Sequence, residues 1–165
     1  MLNIYYVDGE FVTSDEAVIS ATDLAVLRGY GVFDYMRTYG GKPFHLDEHL
    51  PRLRRSAELI DLPLPWSHEE LKAIVQETVD RNDNAESSVR IVVTGGASDD
   101  LITPKDEPRL MVLATPIKEM PEHYFTEGVK IITFETERYL PGAKTLNYIP
   151  AIRAMRRAHQ VGAAL

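Results

Sequence analysis

The order in which hydrophobic periodicities follow one another along the chain is the feature that most constrains its fold. Two short β-rich segments, Leu2–Val7 and Glu10–Thr13, flank Asp8-Gly9, a dipeptide typical of two-residue hairpin turns. A further strand is predicted over Val32–Tyr39, two amphipathic helices follow it, and two more strands come after the helices. Strands before and after a pair of helices predict an α+β domain in which an N-terminal antiparallel sheet packs against two helices.

The first of the two helices is marked by a single apolar stripe. Apolar side chains recur at steps of three and four residues, at Leu46, Leu50, Leu53, Ala57 and Ile60. Proline is tolerated in the first turn of a helix, so Pro51 predicts a helix start near Asp47 or Glu48. His49 lies beside the stripe, and we interpret it as a structural residue.

The second helix has a well-defined start. Ser67 and Glu70 have the spacing of a capping box, and Trp66 can pack against Leu71 as a hydrophobic staple. The predicted buried face consists of Leu71, Ile74, Val75 and Val79. The acidic residues of this helix are spaced like a solvated face and predict no metal site.

The two strands after the helices are predicted over Ser88–Gly96 and Arg109–Ala114. Arg90 stands inside the first of them, between apolar neighbours. A half-buried arginine needs an anionic partner. The sequence leaves two interpretations open: a structural salt bridge, or a role in binding a substrate anion.

The remainder of the chain predicts a second, incomplete domain. The charged, proline-containing segment 116–127 predicts a linker between an N-terminal domain, residues 1–115, and a second domain that begins at residue 128. A buried strand is predicted from the apolar residues Val129, Ile131 and Phe134. A helix is predicted from the spacing of Ile149, Ile152 and Met155.

Composition excludes several classes of function. The net charge is -7 and the chain has no run of basic residues, which argues against nucleic acid or anionic membranes as partners. There are no cysteines, so disulfides, thiolate metal sites and cysteine nucleophiles are excluded. No apolar run approaches the length of a membrane span, and the first residues lack the basic flank of a signal peptide. We therefore expect a cytoplasmic protein.

Lys144 is the residue with the clearest chemical potential. It lies at the predicted junction between the last strand and the last helix, and its neighbours are small or apolar. The positive end of a helix dipole and apolar surroundings both disfavour the ammonium form. An amine that loses its proton easily can attack an aldehyde. Lysines before helices are nevertheless common, and most of them are solvated.

A resemblance to a known family gives Lys144 a specific role. The segment Arg138–Tyr148, R-Y-L-P-G-A-K-T-L-N-Y, resembles the cofactor-lysine segment of the class IV aminotransferases, which are the fold-type IV pyridoxal phosphate enzymes. The resemblance implies that Lys144 is the catalytic residue and binds pyridoxal 5′-phosphate covalently. Tyr148, one turn further on, is implied to lie on the phenolate or phosphate side of the cofactor, although packing at the helix start explains it equally well.

Other segments extend the resemblance over nearly the whole chain. His49-Leu50-Pro51-Arg52-Leu53 is similar to an H-x-x-R-L motif whose arginine binds the cofactor phosphate, which implies that role for Arg52. Gly31-Val32-Phe33-Asp34 is similar to G-V-F-E, with Asp in place of the usual Glu. That motif leads into a strand that lines the active site, so the resemblance assigns Phe33, Tyr35 and Arg37 to substrate binding.

The strand around Arg90 continues this pattern. It is similar to V-R-x-x-V-T-x-G, in which the arginine lies close to the substrate carboxylate. An aromatic residue often found two positions earlier is Ser88 here. The resemblance thus implies that Arg90 faces substrate, and it leaves the identity of that substrate open.

The resemblance implies a homodimer that transfers an amino group between an amino acid, branched-chain or D-configured, and a 2-oxo acid. Aminodeoxychorismate lyases of the same family use the same lysine for elimination, so that reaction is the chief alternative. Family members are considerably longer, and a glutamate that faces the pyridine nitrogen comes from strands beyond the lysine helix. We therefore expect a C-terminally truncated chain, and a non-catalytic dimerisation or interaction module is a second hypothesis.

Overall fold

A computed structural model describes residues 2–163 and divides them into two compact units. The first unit comprises the residues up to Ile117 together with Gly142–Leu146. The second comprises Lys118–Pro141 and the residues from Asn147 onward. Lys144, which the sequence assigned to the second domain, therefore belongs by its contacts to the first unit. The proposed linker at 116–127 stays a prediction.

The first unit is built on a six-stranded antiparallel sheet with the strand order β2-β1-β6-β5-β3-β4. The strands are β1 Ile4–Val7, β2 Glu10–Thr13, β3 Gly31–Tyr39, β4 Lys42–Pro43, β5 Ser87–Thr94 and β6 Arg109–Pro116. The predicted hairpin at Asp8-Gly9 is present, and both turn residues have positive φ values, 48° and 104°. Two-residue hairpin turns favour Asp-Gly because they require such backbone angles.

The helices α2, Leu46–Glu58, and α3, His68–Asp80, cover one face of the sheet. Side chains alternate between the two faces of a strand, and those of the covered face meet the apolar stripes of the helices in one core. Buried residues of that core come from β3, β5 and β6 as well as from both helices: Val32, Met36, Val89, Ile91, Val93, Leu110, Val112, Leu50, Leu53, Leu71 and Val75. The α+β architecture predicted from the order of periodicities is thus confirmed.

The cap at the start of α3 was predicted from the sequence, whereas the position of Pro51 within α2 was not. The Ser67 capping box is present, with Ser67 Oγ accepting from the Glu70 amide and Glu70 accepting from the Ser67 amide. In α2, Pro51 lies at the sixth position, beyond the first turn to which the prediction confined it. The core contacts of Leu46, Leu50 and Leu53 compensate for the backbone hydrogen bond that a proline inside a helix cannot make.

A short helix in the first unit, α1 Leu24–Arg28, precedes β3. Asp23 caps it, since its carboxylate accepts from the Ala25 amide at 2.7 Å. The same side chain accepts from the Thr94 hydroxyl at 2.7 Å and is buried. Asp23 therefore ties the loop before β3 to the end of β5.

The second unit contains two helices, α4 His123–Thr126 and α5 Ile149–Gln160. Helix α5 was predicted, and Pro150 occupies its first turn as expected for a helix start. The buried strand predicted over Val129–Phe134 is wrong: these residues form no strand, and Val129 and Ile131 are exposed. A strand needs a hydrogen-bonded neighbour, and no neighbouring strand pairs with this segment within residues 2–163. Among the helices of the described range, none has both the length and the apolar character needed to cross a bilayer.

Candidate active site

The segment that carries Lys144 is fastened to the start of β3 by backbone hydrogen bonds. The Phe33 amide donates to the Lys144 carbonyl oxygen at 3.0 Å, and the Leu146 amide donates to the Gly31 carbonyl oxygen at 3.0 Å. Thr145 forms an isolated antiparallel bridge with Val32 between them. The lysine segment therefore follows the first residues of β3 as a short extended strand would.

Gly31 permits this close approach. A Cβ atom at this position would lie 2.6 Å from Leu146 Cδ1 and 2.6 Å from the carbonyl oxygen of Val93. Both distances are far below ordinary van der Waals contact. A side chain at Gly31 would thus force the Leu146 side chain to move and would clash with the backbone of β5.

The Lys144 side chain lies over an aromatic ring. Its Nζ atom is 4.3 Å from the centroid of the Phe33 ring, and the residue is half-buried. Phe33 itself is 8 % exposed. The ring limits the positions that the amine can take and shields one side of it from water. An amine held in this way can act as a nucleophile toward a carbonyl carbon.

Arg52 and Asp34 form a bidentate ion pair between α2 and β3. Arg52 Nε donates to Asp34 Oδ2 at 2.9 Å, and Nη2 donates to Oδ1 at 2.6 Å. The carboxylate is completely buried, whereas about half of the Arg52 side chain is exposed. Burial by itself would raise the pKa of Asp34, but hydrogen bonds from Arg52, from His49 and from the Tyr35 amide outweigh it and lower the pKa. Asp34 therefore stays ionised, and its hydrogen bond raises the pKa of Arg52.

His49 completes this cluster in the structural role predicted for it. Its Nδ1 atom lies 2.9 Å from Asp34 Oδ1 and 2.9 Å from Arg52 Nη2. With a proton on Nδ1, the ring donates to the carboxylate, and the guanidinium then donates to Asp34 alone. A guanidinium has five N–H donors, and Asp34 occupies one on Nε and one on Nη2, so the half-exposed side of Arg52 keeps donors for an anion.

Ser56 connects the arginine turn to the lysine segment, and sequence reasoning missed it. Its hydroxyl donates to the Arg52 carbonyl oxygen at 2.8 Å and accepts from the Lys144 amide at 3.1 Å. The serine is fully buried. The one available signal was its position four residues after Arg52, on the side of α2 that also carries the apolar stripe.

The predicted substrate-binding residues lie together on the face of the sheet opposite the helices. Phe33, Tyr35 and Arg37 alternate with buried residues along β3, and Arg90 is paired in register with Tyr35. The Arg90 guanidinium lies 5.7 Å from the Phe33 ring centroid and 5.8 Å from the Tyr35 ring centroid. Aromatic rings and a cation are therefore available on this face to a ligand with both apolar and anionic groups.

Arg90 differs from expectation in two respects. Arg90 is exposed and not half-buried, because strand alternation places Val89 and Ile91 under the helices and Arg90 on the opposite side. The structural salt bridge considered for it is absent among residues 2–163. Arg37 is turned toward its own strand, where Nε donates to the Thr38 carbonyl oxygen at 3.2 Å and the guanidinium lies 4.2 Å from the Tyr39 ring centroid.

Tyr148 belongs to the second unit. It is the residue that precedes α5, its carbonyl oxygen accepts from the Ile152 amide at 3.0 Å, and its side chain is partly exposed. The role in cofactor binding implied for Tyr148 stays a prediction. In the described part of the chain, no group of three or more His, Asp or Glu side chains is arranged to hold a metal ion.

Known proteins are similar to this chain in both sequence and fold. The family described as amino-transferase class IV matches residues 31–164. A D-alanine aminotransferase from Listeria monocytogenes is 35% identical over 162 residues, an alignment that covers 95% of this chain and 56% of that protein.

Solved structures extend the comparison. The branched-chain aminotransferase of the thermophilic archaeon Thermoproteus uzoniensis, solved with norvaline, matches with a TM-score of 0.85 and 26% identity over 99% of this chain and 58% of that chain. A hypothetical aminotransferase from Mycobacterium tuberculosis, solved in its PLP-bound form, matches with a TM-score of 0.80 and 26% identity over 97% of this chain and 59% of that chain. The chain thus spans somewhat more than half the length of these proteins.

Proposed function

The chain belongs to the class IV aminotransferase family, and from that premise we propose that it is part of a pyridoxal 5′-phosphate-dependent aminotransferase. The reaction would transfer an amino group between an amino acid and a 2-oxo acid. The observation that carries the proposal is the position of the Lys144 amine, 4.3 Å from the Phe33 ring centroid, on a segment that Ser56 connects to the turn of Arg52.

The residues of the first unit fit the proposed cofactor. Pyridoxal 5′-phosphate carries an aldehyde and a phosphate, so its site needs a nucleophilic amine and a group that binds a dianion. Lys144 supplies the amine. Arg52 supplies guanidinium donors that Asp34 leaves available, in a fork geometry suited to phosphate.

The chemistry follows from this division of roles. When bound, the cofactor supplies an electron sink for the bond that breaks at the substrate α-carbon. Lys144 would hold the cofactor covalently, and its amine, when free, would accept the proton from the substrate α-carbon and return it as general base and general acid. Arg52 would bind the phosphate, and this contact would fix the position of the reacting atoms relative to Lys144. Phe33 excludes water from one side of the amine.

Substrate binding is proposed for the open face of the sheet. The aromatic rings of Phe33 and Tyr35 offer apolar contact, and Arg90 and Arg37 offer positive charge for a carboxylate. The comparisons with D-alanine and branched-chain aminotransferases support small or branched-chain amino acids, of D or L configuration. Tyr148 is proposed to contribute on the phenolate or phosphate side of the cofactor.

Two further properties are proposed for the protein as a whole. The family resemblance supports a homodimer, which sedimentation equilibrium over a range of concentrations would test. The absence of cysteine and of an apolar run of membrane length supports a cytoplasmic location. Fractionation of cells that produce the protein would test that location.

The proposed function is tested by trapping the covalent bond to Lys144. The purified chain is incubated with pyridoxal 5′-phosphate, reduced with borohydride, and examined by intact mass and peptide mapping. We expect one adduct, at Lys144, and none in Lys144→Ala. Lys42→Ala, in which an exposed lysine is removed from β4, serves as the matched control and should be labelled like the unmodified chain. Adducts scattered over many lysines, or equal labelling of Lys144→Ala, would contradict the proposal.

A second assay separates amino transfer from elimination. Candidate D- and L-amino acids are supplied together with a 2-oxo acid, and the products are identified by mass. Formation of a new amino acid from the 2-oxo acid supports an aminotransferase. Loss of a leaving group without consumption of the 2-oxo acid would assign the same lysine chemistry to a lyase.

A further inference from the structure

The Ser56 hydroxyl occupies an unusual position between two functional segments. Buried serines inside helices often donate to the carbonyl oxygen four residues earlier, and Ser56 does this with Arg52 at 2.8 Å. A hydroxyl also has lone pairs that accept. In Ser56 a lone pair accepts the amide of Lys144, a residue 88 positions further along the chain, at 3.1 Å.

The contacts around Ser56 close a ring. Arg52 and Ser56 lie one turn apart on α2, so both reach the same side of that helix. Phe33 and Asp34 are adjacent on β3, where Phe33 binds the Lys144 backbone and Asp34 binds the Arg52 guanidinium. The Asp34–Arg52 ion pair fixes one side of the ring, and the Ser56–Lys144 hydrogen bond fixes the other.

We propose that Ser56 is a positioning residue that sets the separation between the Lys144 amine and the Arg52 guanidinium. The inference rests on the proposed function, because it concerns a ligand that bears both an aldehyde and a phosphate. Such a ligand contacts Lys144 and Arg52 at once. Binding at one of these residues favours binding at the other only if the amine and the guanidinium are held at the distance that matches the ligand. A ligand with the aldehyde alone makes no use of that distance.

This difference between ligands separates positioning from ordinary structural support. Loss of the Ser56 hydroxyl should weaken reaction with pyridoxal 5′-phosphate much more than reaction with pyridoxal, which lacks the phosphate. A residue that only stabilised the fold would affect both aldehydes equally. The measured quantity is the preference, namely the rate of borohydride-trapped adduct formation at Lys144 with pyridoxal 5′-phosphate divided by the rate with pyridoxal, both below saturation.

The experiment compares the unmodified chain with Ser56→Ala, Ser56→Thr and Thr78→Val. Thr78 is the matched control, because it is a fully buried helical hydroxyl that donates to the carbonyl oxygen of Ile74 at 2.7 Å. It lies on α3 and makes no hydrogen bond to the lysine segment among the residues described. Urea unfolding of every variant shows whether the fold has survived.

We expect the preference to fall about tenfold in Ser56→Ala, the order of magnitude for the loss of one hydrogen bond. It should survive in Ser56→Thr, which keeps the hydroxyl, and in Thr78→Val. An unchanged preference in Ser56→Ala, or equal losses in Ser56→Ala and Ser56→Thr, would overturn the positioning role while leaving the proposed function intact. Absence of selective labelling in the unmodified chain would overturn the proposed function, and this inference with it.

Discussion

Removal of the Arg52 side chain should destabilise the first unit measurably. The substitution Arg52→Ala leaves the Asp34 carboxylate, which is buried in the unmodified chain, with His49 and the Tyr35 amide as its remaining partners. Breaking a buried ion pair from one side costs roughly 3–5 kcal/mol. Because about half of the Arg52 side chain is exposed, water already screens part of this interaction, and we expect a loss of about 2 kcal/mol.

The single tryptophan allows the loss in free energy of unfolding to be measured for the first unit alone. Trp66 packs against the core of that unit, so its fluorescence in urea reports unfolding there. The free energy of unfolding is compared at pH 7 for the unmodified chain, Arg52→Ala, Asp34→Ala and the double variant. Once Asp34 is absent, removal of Arg52 should cost no more than about 0.5 kcal/mol, the usual value for an exposed side chain.

The pH dependence of the same measurement has a definite sign. The folded-state pKa of Asp34 is lowered, so the ion pair stabilises the fold fully above the carboxyl's unfolded pKa of about 3.9. That contribution is lost as the pH falls through the lower, folded value. The difference in free energy of unfolding between the unmodified chain and Arg52→Ala should therefore be large at neutral pH and become smaller in acid.

A matched control comes from the same helix. Arg55 is exposed on α2 and takes part in no salt bridge within the described residues, so Arg55→Ala should change stability by less than about 0.5 kcal/mol. If Arg52→Ala and Arg55→Ala have the same small effect at pH 7, the reasoning about a buried carboxylate that depends on Arg52 is refuted. A difference that persists undiminished at pH 3 would refute the assignment of that effect to the ionised form of Asp34.

Two further substitutions test local features of the fold. Ser67→Ala removes the side chain that caps α3 and should lower the free energy of unfolding by about 1 kcal/mol in the Trp66 assay; no change would contradict the cap. Gly31→Ala places a Cβ atom 2.6 Å from the backbone carbonyl oxygen of Val93 and 2.6 Å from Leu146 Cδ1, so the Gly31 backbone has to shift. Hydrogen exchange at the Leu146 amide, which donates to the Gly31 carbonyl oxygen, should therefore accelerate, and unaltered exchange there would contradict the close approach.

Local patterns in the sequence were sufficient for most of the secondary structure. The hairpin at Asp8-Gly9, the capping box at Ser67 and the apolar stripe of α2 each depend on residues close together in the chain. The physical preferences involved are also local: positive φ at turn residues, unsatisfied amides at a helix start, and the period of an α-helix. For this reason the α+β architecture could be predicted before any contact between the elements was known.

The same kind of reasoning failed where an element depends on a distant partner. Val129–Phe134 has the composition of a strand and forms none, because a strand requires a neighbour that the sequence of the segment does not specify. The burial of Arg90 was also mispredicted. Its apolar neighbours suggested a half-buried position, whereas alternation places it on the exposed face of β5.

The candidate site was determined partly by the sequence and partly by the tertiary structure. Lys144 and Arg52 could be predicted from the sequence by itself, because the motifs that resemble those of the family are continuous stretches of a few residues. Only the tertiary structure showed that Asp34 holds Arg52 and that Ser56 accepts the Lys144 amide, since these pairs are 18 and 88 positions apart. A hydrogen bond is sensitive to changes of a few tenths of an ångström in the distance between donor and acceptor. Those distances are set by how β3, α2 and the lysine segment pack together.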